Sequence, residues 1–131
     1  MIVAVKRFLA DLTVWASSRD DVLGVALVGS QARGLATASS DVDVVILARE
    51  PERYFRDTAW INAFGNPVRH AVEPYGMLTS LRVWYQQGLE VEFGFGDEHW
   101  PHDAGAQAVM QDGMKVLLDR ALRFRIIDRE A

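Results

Sequence analysis

Cysteine is absent from the 131 residues, which excludes disulfides and thiolate metal sites. Long apolar runs are lacking too, and none approaches the length of a membrane-spanning helix. No block of Lys or Arg occurs, and the net charge is −4. Binding to duplex nucleic acid, which draws on many phosphate contacts, is therefore not expected. Internal repeats, linkers and low-complexity tracts are also missing. The opening Met1-Ile-Val-Ala-Val-Lys-Arg7 puts apolar residues before charged ones and runs into an amphipathic pattern, the wrong order for a signal peptide. These absences make a cytoplasmic location the expectation. What remains has an ordinary globular balance, 50% hydrophobic and 24% charged. The length suits one domain, residues 1–131, with a core of its own.

Hydrophobic spacing supplies an outline. Val5, Phe8, Leu9, Leu12 and Trp15 recur at helical intervals and predict an amphipathic helix over 2–16. A buried strand is expected over 23–28, then a small polar loop or short turn over 31–40, then a strand over 41–47. In that strand Val42, Val44 and Ile46 share one side, while Val45 and Leu47 carry the other side into a core. Pro51 is read as opening a helix over 52–64, stopped by Gly65-Asn66-Pro67. Strands follow over 69–74, 79–86 and 89–95, the last two joined by a tight turn at Gln86-Gln87-Gly88. A polar loop over 96–103, a helix over 104–112 ended by Gly113, and a strand over 114–118 complete the body. The charged tail, 119–131, is read as a short helix.

The most informative stretch is Val25–Leu47. An apolar run ends in Gly29-Ser30, and ten residues on, Asp41-x-Asp43 heads a second apolar run. A turn of small residues lets backbone N–H groups and the Ser30 hydroxyl approach phosphate oxygens. Two carboxylates at i and i+2 on a strand point to one face and can share divalent cations. An isolated Asp-x-Asp pair is commonly a turn or cap. Here the pair leads a strand one loop after a Gly-Ser turn, and that context favours metal ligation. Phosphate cradle and paired acids together imply phosphoryl or nucleotidyl transfer, with two Mg²⁺ ions spaced about 3.5–4 Å apart.

Gly29, Ser30, Arg33, Gly34, Ser40, Asp41 and Asp43 resemble the signature of the nucleotidyltransferase superfamily that includes DNA polymerase beta. Trp60-Ile-Asn-Ala-Phe-Gly65, Ser80-Leu-Arg-Val-Trp-Tyr85 and Gly88-Leu-Glu-Val-Glu-Phe-Gly94 are similar to the catalytic domain of streptomycin-type aminoglycoside adenylyltransferases. The likeness runs from about Leu23 to Asp119. It implies an α/β fold of the nucleotidyltransferase type, a mixed sheet with helices packed on one side. It implies attack of an acceptor hydroxyl on the α-phosphorus of a nucleoside triphosphate, with ATP as donor and pyrophosphate released. It assigns Gly29 and Ser30 to the β- and γ-phosphates, and a third carboxylate to a strand beside the first two. Glu92, between Val91 and Phe93, fits that position better than Glu90, which alternation places on the same face. The relatives use aspartate there, so glutamate sets this carboxylate one methylene further out. Its expected role is to bind the nucleophile-side metal or to take the hydroxyl proton.

Other residues keep two readings. Arg33 either pairs with a phosphate through its fork or is a solvated loop charge. Arg82 either reaches the triphosphate or salt-bridges a glutamate. His99 and His102, with Asp97, Glu98 and Asp103, suggest a metal cluster, though a solvated loop is the better reading. Trp60, Trp84, Trp100 and Tyr75 could stack a base, with core packing the default for each. The acceptor, small molecule or protein, is hidden. Antibiotic-modifying relatives carry an added helical domain that completes the acceptor site, and the chain ends too early for one. A homodimer or a helical partner protein is then expected to supply the missing wall. A second reading is an antitoxin-type interaction protein that binds or adenylylates a small helical toxin, since minimal nucleotidyltransferases of toxin–antitoxin pairs share the Gly-Ser and Asp-x-Asp spacing. A third is a nucleotide-binding module without turnover.

Overall fold

A computed structural model of the chain describes residues 2–37 and 40–127, apart from the side chain of Tyr75. These residues form a six-stranded sheet in the order β3-β4-β5-β2-β1-β6. Its strands are β1 (Val22–Val28), β2 (Val42–Ala48), β3 (Pro67–Tyr75), β4 (Leu78–Tyr85), β5 (Glu90–Gly96) and β6 (Lys115–Asp119). The sheet is mixed: β2 and β5 run parallel, and the other neighbours run antiparallel. The expected α/β sheet is thus present, with every strand within a residue or two of its predicted span. The turn at Gln86–Gly88 also forms: Gly88, at φ +94°, donates its N–H to the Tyr85 carbonyl, and the Tyr85 N–H donates to the Leu89 carbonyl. No helix among the described residues is long and apolar enough to cross a membrane.

The principal helical layer covers one face. Helix α1 (Val3–Ser17) buries Val5, Phe8, Leu9 and Leu12 of the predicted stripe together with Ala16, while Trp15 is only partly buried against the same core. These meet Val42, Val44 and Ile46 of β2 and Val91, Phe93 and Phe95 of β5. The opposite side chains of β2, Val45 and Leu47, join a smaller cluster with Trp100, Ala106, Met110 and Phe124. Helix α4 (Ala104–Asp112) therefore adds a second, thinner layer, N-capped by Asp103, whose carboxylate accepts the Ala106 N–H at 3.2 Å.

Three expectations are corrected. The helix read over 52–64 divides into α3 (Arg53–Arg56) and a 3₁₀ segment over Ala59–Phe64. Asp57 is extended, and its carboxylate accepts the Ala59 N–H at 3.0 Å, a local bond that competes with the helix ladder. Trp60 then donates its indole N–H to the Tyr54 carbonyl, and the break seats Trp60, Ile61 and Phe64 in the core. In the loop read over 96–103, Trp100–His102 make a 3₁₀ turn that buries Trp100 and Pro101. The tail is not helical over 120–127: Phe124 packs on Gly24, and Gln107 ties the chain down by donating to the carbonyls of Pro101 and Arg125 and accepting the Ile127 N–H. Residues 128–131 of that expected helix, and 38–39 of the expected loop, lie outside the described residues.

Candidate active site

Register assembles the site. Val28 of β1 faces Asp43 of β2, Asp43 faces Glu92 of β5, and Glu92 faces Arg82 of β4, one row across four strands. Asp41 lies two residues before Asp43, so the pleat turns it to the same face. Asp41, Asp43 and Glu92 each offer a carboxylate oxygen within 4.8 Å of the others, and no second such group of three occurs among the described residues. Glu90, by contrast, is directed to Arg82 and is not part of this convergence.

The turn before the acids is fixed by glycine. Gly29 opens helix α2 (Gly29–Arg33) with φ +72°, a conformation unfavourable for residues with a Cβ. A Cβ there would stand 2.5 Å from Oδ2 of Asp43. The missing side chain thus sets the backbone turn and lets the carboxylate close against it. Ser30 follows, half-buried in the first turn of α2. Gly34, at φ +72°, ends that turn.

Electrostatics are unusual at the centre of the row. Burial raises the Asp43 carboxyl above its ordinary range, and Asp41 adds to the effect. Burial also pushes Glu92 up to about 7, opposed by the Arg82 charge and reinforced by Asp43. Oε1 of Glu92 is sealed from solvent and receives no donor. An oxygen in that position requires a proton or a cation. The donor set, three hard carboxylates around one orphaned oxygen, fits Mg²⁺ or Mn²⁺.

Beside the acids opens a cleft of 540 Å³, within the usual range for small-molecule sites. Asp43, Glu92, Gly29 and Arg33 line it, and its walls include Met77, Leu78, Trp100 and Val109. Arg33 reaches Asp112 at 3.8 Å and is well exposed, so it sits on the rim as a loosely paired charge. Trp100 lines the cleft, whereas Trp60 belongs to the opposite core. Trp84 packs under the guanidinium of Arg69, 4.1 Å from the ring centre. The side chain of Tyr75 lies outside the described residues. The His99 ring reaches Glu98 at 3.8 Å and its backbone N–H donates to the Asp97 carboxylate at 2.8 Å, but among the described residues it joins no ligand cluster with His102, Asp97 or Asp103.

A family model for the nucleotidyltransferase domain matches residues 14–82, more than half of the 131 residues. The chain belongs to the nucleotidyltransferase family. The matched stretch contains Gly29, Ser30, Arg33, Asp41, Asp43 and Arg82 and stops short of Glu92. In fold, the chain is similar to an aminoglycoside 6-adenyltransferase from Bacillus subtilis, with a TM-score of 0.53 at 14% identity. That likeness covers 68% of this chain and 34% of the other, so the chain spans about a third of that protein's length. No curated protein matches it in sequence.

Two features escaped the sequence reading. Arg82 is held by four carboxylates, and the fourth, Glu73 of β3, carried no signal of its own. The cleft wall formed by Met77 and Leu78 at the β3–β4 turn was equally hidden. Alternation places Arg82 on one face of its strand, but only the pairing register shows which acids it meets.

Proposed function

We propose that this chain transfers AMP from ATP to a hydroxyl group of an acceptor, releasing pyrophosphate, with Asp41, Asp43 and Glu92 holding Mg²⁺. The observation that carries this reading is the meeting of the three carboxylates, two of them, Asp43 and Glu92, lining the cleft and Asp43 set directly against the Gly29 turn. When bound, the divalent cations supply charge that offsets the triphosphate and favours the ionised acceptor hydroxyl. Gly29 and Ser30 give the triphosphate backbone and hydroxyl donors beside the acids. Arg33, loosely held on the rim, is free to turn its fork toward a phosphate. The acceptor oxygen attacks the α-phosphorus, the bond to the bridging oxygen breaks, and pyrophosphate leaves with its electron pair. Glu92 takes the acceptor's proton. The apolar walls around Trp100 and Leu78 offer a surface for the nucleoside or the acceptor and keep water from the reacting phosphorus.

The test is incubation with α-labelled ATP and Mg²⁺ against aminoglycosides, lincosamides and a lysate of the source cells. Label appearing on a small molecule or a protein, and lost in Asp43→Asn, is the expected result. Label on nothing, with ATP still bound, would replace transfer with nucleotide binding alone.

A further inference from the structure

Arg82 stands on β4 opposite Glu92, with its side chain only 18% exposed. Its Nε donates to Glu73 at 3.1 Å, Nη1 donates to Asp41 at 3.0 Å and to Glu90, and Nη2 donates to Glu92 at 2.9 Å. With Asp43 adjacent, five carboxylates surround one guanidinium. A salt bridge made for stability needs one partner, and the excess of acid calls for another reason.

The oxygens that Arg82 takes, and those it leaves, suggest what that reason is. It holds Oδ2 of Asp41 and Oε2 of Glu92, and makes no hydrogen bond to Asp43. The other oxygen of Glu92, Oε1, is sealed from solvent and has no donor. Glu73 and Glu90 in turn hold Nε and Nη1, which fixes the plane of the fork. Each of the two gripped acids therefore has one oxygen committed to Arg82 and one left over.

We propose that Arg82 is a positioning residue for the divalent cation: by gripping one oxygen of Asp41 and one of Glu92, it presents their remaining oxygens, together with Asp43, to the metal. This rests on the metal-dependent reading above. A simple countercharge role has the opposite sign. Were charge alone at work, removing Arg82 would leave the acids more negative and strengthen cation binding. Were positioning at work, removing it would let the acids splay apart and weaken binding, by about the 10–100-fold typical of groups that orient metal ligands. Lysine separates the two, because it keeps the charge and lacks the planar fork.

The experiment measures Mn²⁺ affinity, with Mn²⁺ alone as probe and free ion counted by its electron paramagnetic resonance signal. Wild type, Asp43→Asn, Arg82→Lys, Arg82→Met and Glu73→Gln are compared, with thermal melts as a check on folding. Wild type should bind, Asp43→Asn should lose binding, Arg82→Lys should bind about 10–100-fold more weakly, and Arg82→Met no better than Arg82→Lys. Glu73→Gln touches none of the three acids and should shift affinity in the same direction by less. Unchanged affinity in Arg82→Lys, or tighter binding in Arg82→Met, would overturn the positioning role while leaving the metal site standing. If Arg82→Lys fails to fold, Glu73→Gln decides, and unchanged affinity there counts against the proposal. Should wild type bind no Mn²⁺, or Asp43→Asn bind it as wild type does, the metal reading falls and this inference falls with it.

Discussion

The two faces of strand β5 are built for opposite ends. Val91, Phe93 and Phe95 point into the layer under α1, each at most 1% exposed, and Phe93 touches the rings of Phe8, Trp60 and Phe64. Glu90, Glu92 and Gly94 alternate with them and face the open side, where Glu92 meets Asp43 and Gly94 borders the cleft. One period-2 pattern thus serves a dry aromatic core and a charged row. Half-buried carboxylates crowded together, one with an oxygen that has no donor, work against stability, and the aromatic face offsets them. Residues on the closed face should therefore govern folding, and residues on the open face should govern chemistry.

Substitutions can break that division or sharpen it, and the largest effect belongs to the open face. Asp43→Asn should abolish transfer, a loss exceeding the 10–100-fold typical of groups one step removed from a metal. Its melting temperature should not fall, because a carboxyl raised by burial is replaced with a neutral isostere. A marked drop in melting temperature would show the acid pair to be structural. Phe93→Ala should do the reverse. Urea unfolding should show a loss of about 3–5 kcal/mol, the usual range for a buried aromatic, with ATP binding retained wherever the protein is folded. Glu92→Gln should keep ATP binding and lose turnover, while Glu90→Gln, which touches Arg82 and not the three acids, should do much less. Turnover lost in the Glu90 variant and kept in the Glu92 variant would move the third carboxylate along the strand by one pleat repeat.

A smaller effect lies in pH. Glu92 is held at about 7 against an ordinary 4.5, so in metal-free protein it binds its proton more tightly folded than unfolded. That stabilisation is fully present below pH 4.5 and disappears as pH rises through about 7. Melts in EDTA should show wild type losing more stability across this window than Glu92→Gln. Parallel curves would mean that Glu92 is not protonated in the folded protein.

Much of this contrast was legible in the sequence, because it is written in local periodicity. The stripe on α1, the alternation in β2 and β5, and the Gly29-Ser30 turn before Asp41-x-Asp43 each depend on neighbours a few residues apart. What stayed hidden depends on partners far along the chain. Asp57 breaks a helix that Pro51 and the apolar spacing favour, and the break is settled by where Trp60 and Phe64 find their core. Trp100 looked like part of a polar loop, since the sheet surface that buries it comes from β1 and β2. Helix α4 shows the core only Ala106, Gln107 and Met110, too slight a stripe to announce a second layer. Arg82 kept two readings until the β4–β5 register set Glu92 opposite it. The choice of Glu92 over Glu90 came from its apolar neighbours and its resemblance to relatives, and the geometry groups Glu92 with Asp41 and Asp43.

The central claim is that the open face holds a triphosphate through divalent cations on Asp41 and Asp43, with Glu92 serving the acceptor side. Calorimetric titration of ATP tests it most directly, once with Mg²⁺ and once in EDTA. Unscreened, the acids repel the phosphates, so binding should be clear with Mg²⁺ and lost or severely weakened without it. Equal affinity under the two conditions would contradict the account.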